Sequence, residues 1–273
     1  MRVRFSPAHM DHDQPQFLHV GTDRRSIAIR SREGTAPGIF WLGGFKSDMK
    51  GTKAVALDAH AAKAGRASIR FDYSGHGESG GRFEDGTISN WLEDALAVFA
   101  NRARGPQIVV GSSMGGWMAL LLARRLAENP SLAPDAKLAG LVLIAPAPDF
   151  TEALMWQNFS PEIRREIETR GAWERPSAYG EAPYPITRTL IEDGRRHLLL
   201  DRPIEVKCPV RILQGMLDPD VPWQHAMKLV SCLAQDDVAM TLVKDGDHRL
   251  SRPEDIERLL KTVDELAEEA AVR

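Results

Sequence analysis

Five residues, Gly111-Ser112-Ser113-Met114-Gly115, stand between the apolar run Gln107-Ile108-Val109-Val110 and a segment that opens as a helix at Gly116-Trp117-Met118-Ala119-Leu120. A G-x-S-x-G pattern set between a strand and a helix takes the chain through a sharp turn. That turn exposes the serine hydroxyl at the strand's C-terminal end, beside the first amides of the helix. Gly111 and Gly115 suit it because a Cβ at either position would strike neighbouring backbone. The motif therefore constrains the local fold and the chemistry of Ser113 together.

The surrounding sequence alternates buried strands with amphipathic helices. Short alternating segments at 17–20 and 26–29 predict an N-terminal hairpin on a sheet edge. Strands are expected at 38–42, 67–72, 138–144, 210–214 and 238–243, besides the one before Ser113. Helices are expected at 52–64, 87–102, after Gly115, at 223–234 and at 253–270. In the helix at 87–102, Ile88, Trp91, Leu92, Ala95 and Phe99 share one face. This order predicts an α/β fold with a mostly parallel central sheet and helices on both faces. Residues 149–201 break the rhythm. They are rich in Trp, Pro and charge, with helical pieces at 161–169 and 186–200 and no convincing strand, which predicts a small helical lid inserted in the core. The expected organisation is one α/β core at 1–148 and 202–273, with the lid at 149–201.

Composition removes several function classes. With 273 residues, 43% apolar and 27% charged, the chain has the make-up of a globular enzyme with a sizeable core. A net charge of −3 leaves no basic footprint for nucleic acid. No apolar stretch approaches the ~20 residues of a membrane span. The N-terminus is polar and lacks both the apolar stretch of a secretory signal and the Arg-rich pattern of a transit peptide. Two cysteines, Cys208 and Cys232, are too few for a disulfide framework, and a reduced, cytoplasmic setting is expected. His9, His12 and Asp13 read as a polar terminus. There is no dinucleotide fingerprint or phosphate loop, so neither a metal nor another cofactor is expected.

A serine hydroxyl needs a base to attack, and the base needs an acid to orient it. Asp218 follows the strand at 210–214 in Gly215-Met216-Leu217-Asp218-Pro219-Asp220-Val221-Pro222, and His248 follows the strand at 238–243 in Gly246-Asp247-His248-Arg249. Parallel strands deliver these loops to the same sheet edge as Ser113. Asp220 is an alternative acid, and either aspartate could instead cap the helix at Trp223; Asp218 is preferred because it lies nearer the strand end. His76 is the rival base, but it precedes the serine, and Ser74-Gly75-His76-Gly77 reads better as a tight turn packed against the oxyanion loop. Ser112 is offset by one residue and points the other way. Two backbone amides are needed for the oxyanion: Met114 supplies one and Phe45, in Gly43-Gly44-Phe45-Lys46, is the expected second.

With these residues placed, the chain resembles a specific branch of the α/β-hydrolase superfamily, that of the mitochondrial palmitoyl-protein thioesterases and acyl-glucuronide esterases. The stretches that carry the resemblance are Leu42 to Ala54 (including Lys46-Ser47-Asp48-Met49), Ile69-Arg70-Phe71-Asp72-Tyr73-Ser74-Gly75, Gly111 to Trp117, Val221-Pro222-Trp223 and Asp247-His248-Arg249. It extends through the portion of the lid from Trp173 to Tyr179. The resemblance implies an α/β-hydrolase fold, a Ser113-His248-Asp218 triad and an acyl-enzyme route on thioesters or activated esters of small-molecule or acylated substrates. A general short-chain carboxylesterase is the alternative, and a non-catalytic ligand-binding relative is a further one. Met155, Trp156 and Trp223, with Phe159, Trp173 and Met114, form either an apolar acyl site or the lid's own small core. Arg164 and Arg165 could meet an acidic leaving group or simply be solvated.

Overall fold

The computed structural model describes residues 14–176, 183–234 and 237–272. His9, His12, Asp13 and Tyr179 lie outside the described residues. Among the described residues, ten strands alternate with seven α-helices in the order β1 (Gln16–Val20), β2 (Arg25–Arg32), β3 (Thr35–Leu42), α1 (Thr52–Lys63), β4 (Arg66–Phe71), α2 (Ile88–Arg102), β5 (Gly105–Ser112), α3 (Met114–Glu128) and β6 (Ala136–Ile144). There follow α4 (Pro161–Arg170), β7 (Ala172–Arg175), β8 (Tyr184–Thr187), α5 (Arg188–Gly194), β9 (Val210–Gly215), α6 (Trp223–Cys232), β10 (Val238–Val243) and α7 (Pro253–Val272).

Eight strands form one sheet in the order β1-β2-β4-β3-β5-β6-β9-β10. From β4 to β10 every pair is parallel, while β1–β2 and β2–β4 are antiparallel. The antiparallel hairpin at the edge and the parallel centre are those expected from the sequence. Side-chain alternation divides the core into two faces. Ile39, Trp41, Ile108, Val110, Val142 and Ile144 pack with Leu57 of α1 and Val263 and Leu266 of α7. Phe40, Leu42, Val109, Leu141 and Leu143 point the other way, toward Trp91 of α2, Trp117 of α3 and Leu229 of α6. Both faces of the central strands are thus removed from water, which is why these strands read as continuous apolar runs.

Residues between β6 and β9 depart from expectation in two respects. β7 and β8 pair as a two-stranded antiparallel sheet, with Trp173 opposite Ile186 and Arg175 opposite Tyr184. Each strand has four residues, and β8 contains Pro185, so neither carries the alternation that would reveal it in sequence. Ile186 is fully buried and Trp173 packs on Phe159 with ring centroids 5.3 Å apart, so the pairing is supported by a small cluster and not by strand propensity. The helical stretch expected at 186–200 is shorter, α5 followed by a single 3-10 turn at Arg195–His197.

Both crossings into this segment are tied at its base. Asp149 adopts a left-handed backbone conformation (φ 58°), and its buried carboxylate accepts the amides of Leu199 (2.8 Å) and Leu200 (2.9 Å). Burial raises the carboxyl pKa, while the two amides oppose that shift. Removing the carboxylate strands two N–H groups in a dry site, at about 1–3 kcal/mol each. Asp149→Ala is therefore expected to lower stability in urea unfolding by about 2–4 kcal/mol and to open residues 149–201 to limited proteolysis; unchanged stability and cleavage would show that this tie is idle.

Candidate active site

The turn after β5 places Ser113 at φ 55°, ψ −116°, a backbone conformation that a side-chain-bearing residue adopts only under constraint. The constraint is visible on both sides. Ser113 N–H donates to Ile144 O at the end of β6 (2.9 Å), while Ser113 O accepts from Gly116 N–H (2.9 Å) and Ala147 N–H (3.1 Å). A Cβ on Gly115 would lie 2.0 Å from Leu42 O, and one on Gly111 would lie 2.3 Å from Gly115 O. Neither position admits a larger residue without moving backbone.

Ser113, His248 and Asp218 meet although they lie on three separate loops. His248 Nε2 is 3.1 Å from Ser113 Oγ, and His248 Nδ1 is 2.8 Å from Asp218 Oδ2. A carboxylate on Nδ1 makes that nitrogen the N–H donor and leaves Nε2 as the acceptor facing the hydroxyl. The Asp218 side chain is wholly buried. Its Oδ1 accepts the amides of Asp220 (2.9 Å) and Val221 (2.8 Å), and its Oδ2 also takes Gln214 Nε2 (3.3 Å). Asp220 thus supports Asp218 through its backbone, and the helix cap considered for either aspartate is not made: Pro222 caps α6 with no side-chain bond. Asp218, Asp220 and His248 have ligand atoms within 4.8 Å of one another. Both oxygens of Asp218 and both nitrogens of His248 are engaged in the bonds above.

Gly44 brings the loop after β3 against the serine turn, since a Cβ there would sit 3.5 Å from Ser113 Cβ. The Phe45 and Met114 amides are not taken up by any turn or loop bond among the described residues. The Phe45 ring is inserted among Phe83, Trp91, Phe150 and Tyr184, with centroids 5.0–5.9 Å apart, and so anchors the loop. His76 anchors it through the backbone. Its Nε2 accepts Lys46 N–H (3.1 Å), and its Nδ1–H donates to Ser74 O (3.1 Å). Lys46 itself has φ 57°, and the imidazole holds it there. His76 is accordingly a neutral prop packed against Tyr73, Phe83 and Trp91, and not a second base.

The apolar residues singled out in the sequence have mixed fates. Met155 is buried in the main core cluster, and Trp223 is half-buried at the first turn of α6. The Trp156 ring is covered by the guanidiniums of Arg195 (5.0 Å) and Arg164 (5.7 Å). Arg164 also donates to Trp156 O and Gln157 O (both 2.9 Å), which commits it to holding its own segment together. Gln214 was not expected at the site. Its signal in the sequence is a polar side chain directly after Ile212-Leu213, at the end of the strand that precedes Asp218.

The sequence profile of the Alpha/beta hydrolase family matches residues 36–259, and the chain belongs to that family. It is 37% identical over 264 residues to human "Palmitoyl-protein thioesterase ABHD10, mitochondrial", an alignment covering 96% of this chain and 83% of the relative. Among solved structures, a putative hydrolase from Agrobacterium vitis S4 superposes with a TM-score of 0.88 at 49% identity, covering 93% of this chain and 98% of the other. Mouse alpha/beta hydrolase domain-containing protein 10 gives a TM-score of 0.83 at 37% identity, covering 94% and 99%. The chain is thus a hydrolase of this family. The cytoplasmic setting expected from the polar N-terminus is overturned by these comparisons, because the curated relatives that span most of the chain are named as mitochondrial proteins. No helix among the described residues is long and apolar enough to cross a membrane.

Burial pushes the His76 imidazole down to about 4, with the Ser74 carbonyl partly opposing the shift. The unfolded chain, with an ordinary imidazole near ~6.5, binds this proton before the folded one does. Stability should therefore fall as pH drops from about 6.5 to about 4, by about 1.4 kcal/mol per unit from this group. His76→Gln should remove that component from the pH dependence of urea unfolding, and an imidazole resonance that titrates near neutrality would contradict the assignment.

Proposed function

We propose that this hydrolase cleaves acyl thioesters and activated acyl esters through an acyl-enzyme on Ser113. The observation that carries the reading is the continuous line of hydrogen bonds from Ser113 Oγ through His248 to the buried Asp218. As Oγ attacks the carbonyl carbon, His248 Nε2 takes its proton, and the imidazolium is stabilised by Asp218. The Phe45 and Met114 amides receive the oxyanion. When the tetrahedral intermediate collapses, the carbon–sulfur or carbon–oxygen bond breaks and His248 returns the proton to the departing thiolate or alkoxide. Water, deprotonated by the same nitrogen, then attacks the acyl-enzyme, and Oγ leaves with the proton restored.

Support for the acyl class comes from two directions. The curated relatives are named palmitoyl-protein thioesterases, and the loop bearing Phe45 is walled by aromatic rings from the segment between β6 and β9. We assign residues 149–201 as a lid over an apolar acyl site, with Met155 and Trp223 on its walls. Trp156 is assigned to the same site, with its ring face taken by the two arginines. A thiolate or a sugar-acyl oxygen leaves readily, so acyl glucuronides fall within the same chemistry.

The test is kcat/KM on matched acyl-nitrophenyl esters, acyl thioesters of rising chain length and an acyl glucuronide, for wild type and Ser113→Ala. Turnover that favours long-chain thioesters and falls at least about 10⁴-fold in Ser113→Ala is expected. Serine-dependent turnover confined to short esters would make the protein a general carboxylesterase, and activity surviving in Ser113→Ala would remove the nucleophile.

A further inference from the structure

His248 rides on the loop between β10 and α7, and several contacts hold that loop in place, among them the bonds of Arg252 to Asp245 and Asp255. Leu217 N–H donates to Gly246 O (2.9 Å), and Asp247 Oδ1 accepts Leu250 N–H (2.9 Å). The Leu250 side chain is buried among Leu213, Val243 and Leu259, although its backbone has φ 42°. A γ-branched residue in this left-handed region persists only where its surroundings over-determine it. A further contact comes from α1: Lys53 Nζ donates to Arg249 O and to Ser251 Oγ (3.3 Å), while Ser251 Oγ donates to the same Arg249 O (2.9 Å).

Lys53 occupies an unfavourable position for a cation. It is the second residue of α1, where the positive end of the helix dipole repels an ammonium. It is partly buried and lies beside Arg249; burial first, and Arg249 second, push its pKa down to about 8, with Asp247 and Asp255 opposing. A methionine would fill the same space without desolvation or repulsion. What distinguishes the lysine is the pair of hydrogen bonds it makes to the residues just past His248.

Its other end is equally placed. α1 begins seven residues after Phe45, and the intervening backbone is locked at Met49, whose N–H goes to Asp72 Oδ1 (2.6 Å) and whose O takes Arg70 (2.9 Å). We propose that Lys53 is a positioning residue for His248: its ammonium ties the loop carrying the imidazole to the segment carrying the Phe45 amide, so that base and oxyanion donor keep one geometry around Ser113. This rests on the reading of Ser113 and His248 as nucleophile and base.

The experiment compares wild type, Lys53→Met, Lys53→Arg and Lys53→Gln, with Lys63→Met at the far, exposed end of α1 as a control. Ser113→Ala and His248→Ala test the parent reading. Each is measured for kcat and KM on an acyl thioester, for the rate of Ser113 labelling by a fluorophosphonate, and for the far-downfield proton resonance of the His248–Asp218 bond. Displacing a reacting group by about 1 Å can cost about 10²-fold. Lys53→Met should therefore lose about 10- to 100-fold in kcat, with KM changed by less than about twofold. Its labelling rate should fall in parallel, and its downfield resonance should shift or broaden. Lys53→Arg should retain most activity, Lys53→Gln should fall between the two, and Lys63→Met should match wild type. Wild-type kcat and an unmoved resonance in Lys53→Met would overturn the inference, as would equal losses in the Met and Arg variants accompanied by unfolding. Full activity in Ser113→Ala or His248→Ala would instead overturn the parent reading, whatever Lys53 does.

Discussion

The approach of Gly115 to Leu42, where no Cβ fits beneath the carbonyl oxygen, sets the geometry of the whole site. It lets α3 begin directly against the end of β3, so the turn at Ser113 and the loop bearing Phe45 occupy one small volume. The left-handed conformation of Ser113 follows from the same crowding, and the bonds to Ile144, Gly116 and Ala147 maintain it. Neighbouring parallel strands then bring the loops after β9 and β10 to the same edge, and Asp218 and His248 arrive from there. A single close backbone contact thus sits upstream of the proposed nucleophile, its oxyanion donors and its base.

Two imidazoles near this contact do opposite work because their hydrogen-bond partners differ. His248 has a carboxylate on Nδ1 and a hydroxyl on Nε2, the partners that the proposed role of base requires. His76 has a backbone carbonyl on Nδ1 and a backbone N–H on Nε2, so a second proton would break the bond to Lys46 and sit uncompensated among aromatic rings. Neutrality is what makes it a prop. The aromatic cluster around Phe45 extends this support into the segment between β6 and β9, where Phe150 and Tyr184 meet the same ring. Any rearrangement of that segment would therefore be felt at the loop that carries the Phe45 amide.

Much of the core was legible because its signals are local. Buried strands such as Ile108-Val109-Val110 and Leu141-Val142-Leu143 declare themselves by uninterrupted apolar runs, and α2 by the spacing of Trp91, Ala95 and Phe99. That Ser113, Asp218 and His248 would meet was legible because each follows a recognisable strand. β7 and β8 were not, since four-residue strands held by Ile186 and the Phe159–Trp173 contact carry no periodicity. The roles of Arg164 and Arg195 were also hidden: whether an arginine meets a ligand or covers a tryptophan depends on what stands across from it.

The sequence by itself determined the order of strands and helices in the eight-stranded core, the serine turn and the strand ends at which Asp218 and His248 lie, because hydrophobic period and glycine sterics act over a few residues. Tertiary structure alone decided which nitrogen of each histidine faces a donor, that Gln214 would brace Asp218, that Asp149 would fasten both crossings of its segment, and that Lys53 would reach across to Arg249. Those outcomes depend on hydrogen bonds between groups as many as 196 residues apart in the chain. Directional bonds of this kind have no periodic trace in sequence, since they exist only once the sheet has set the distances and angles between its loops.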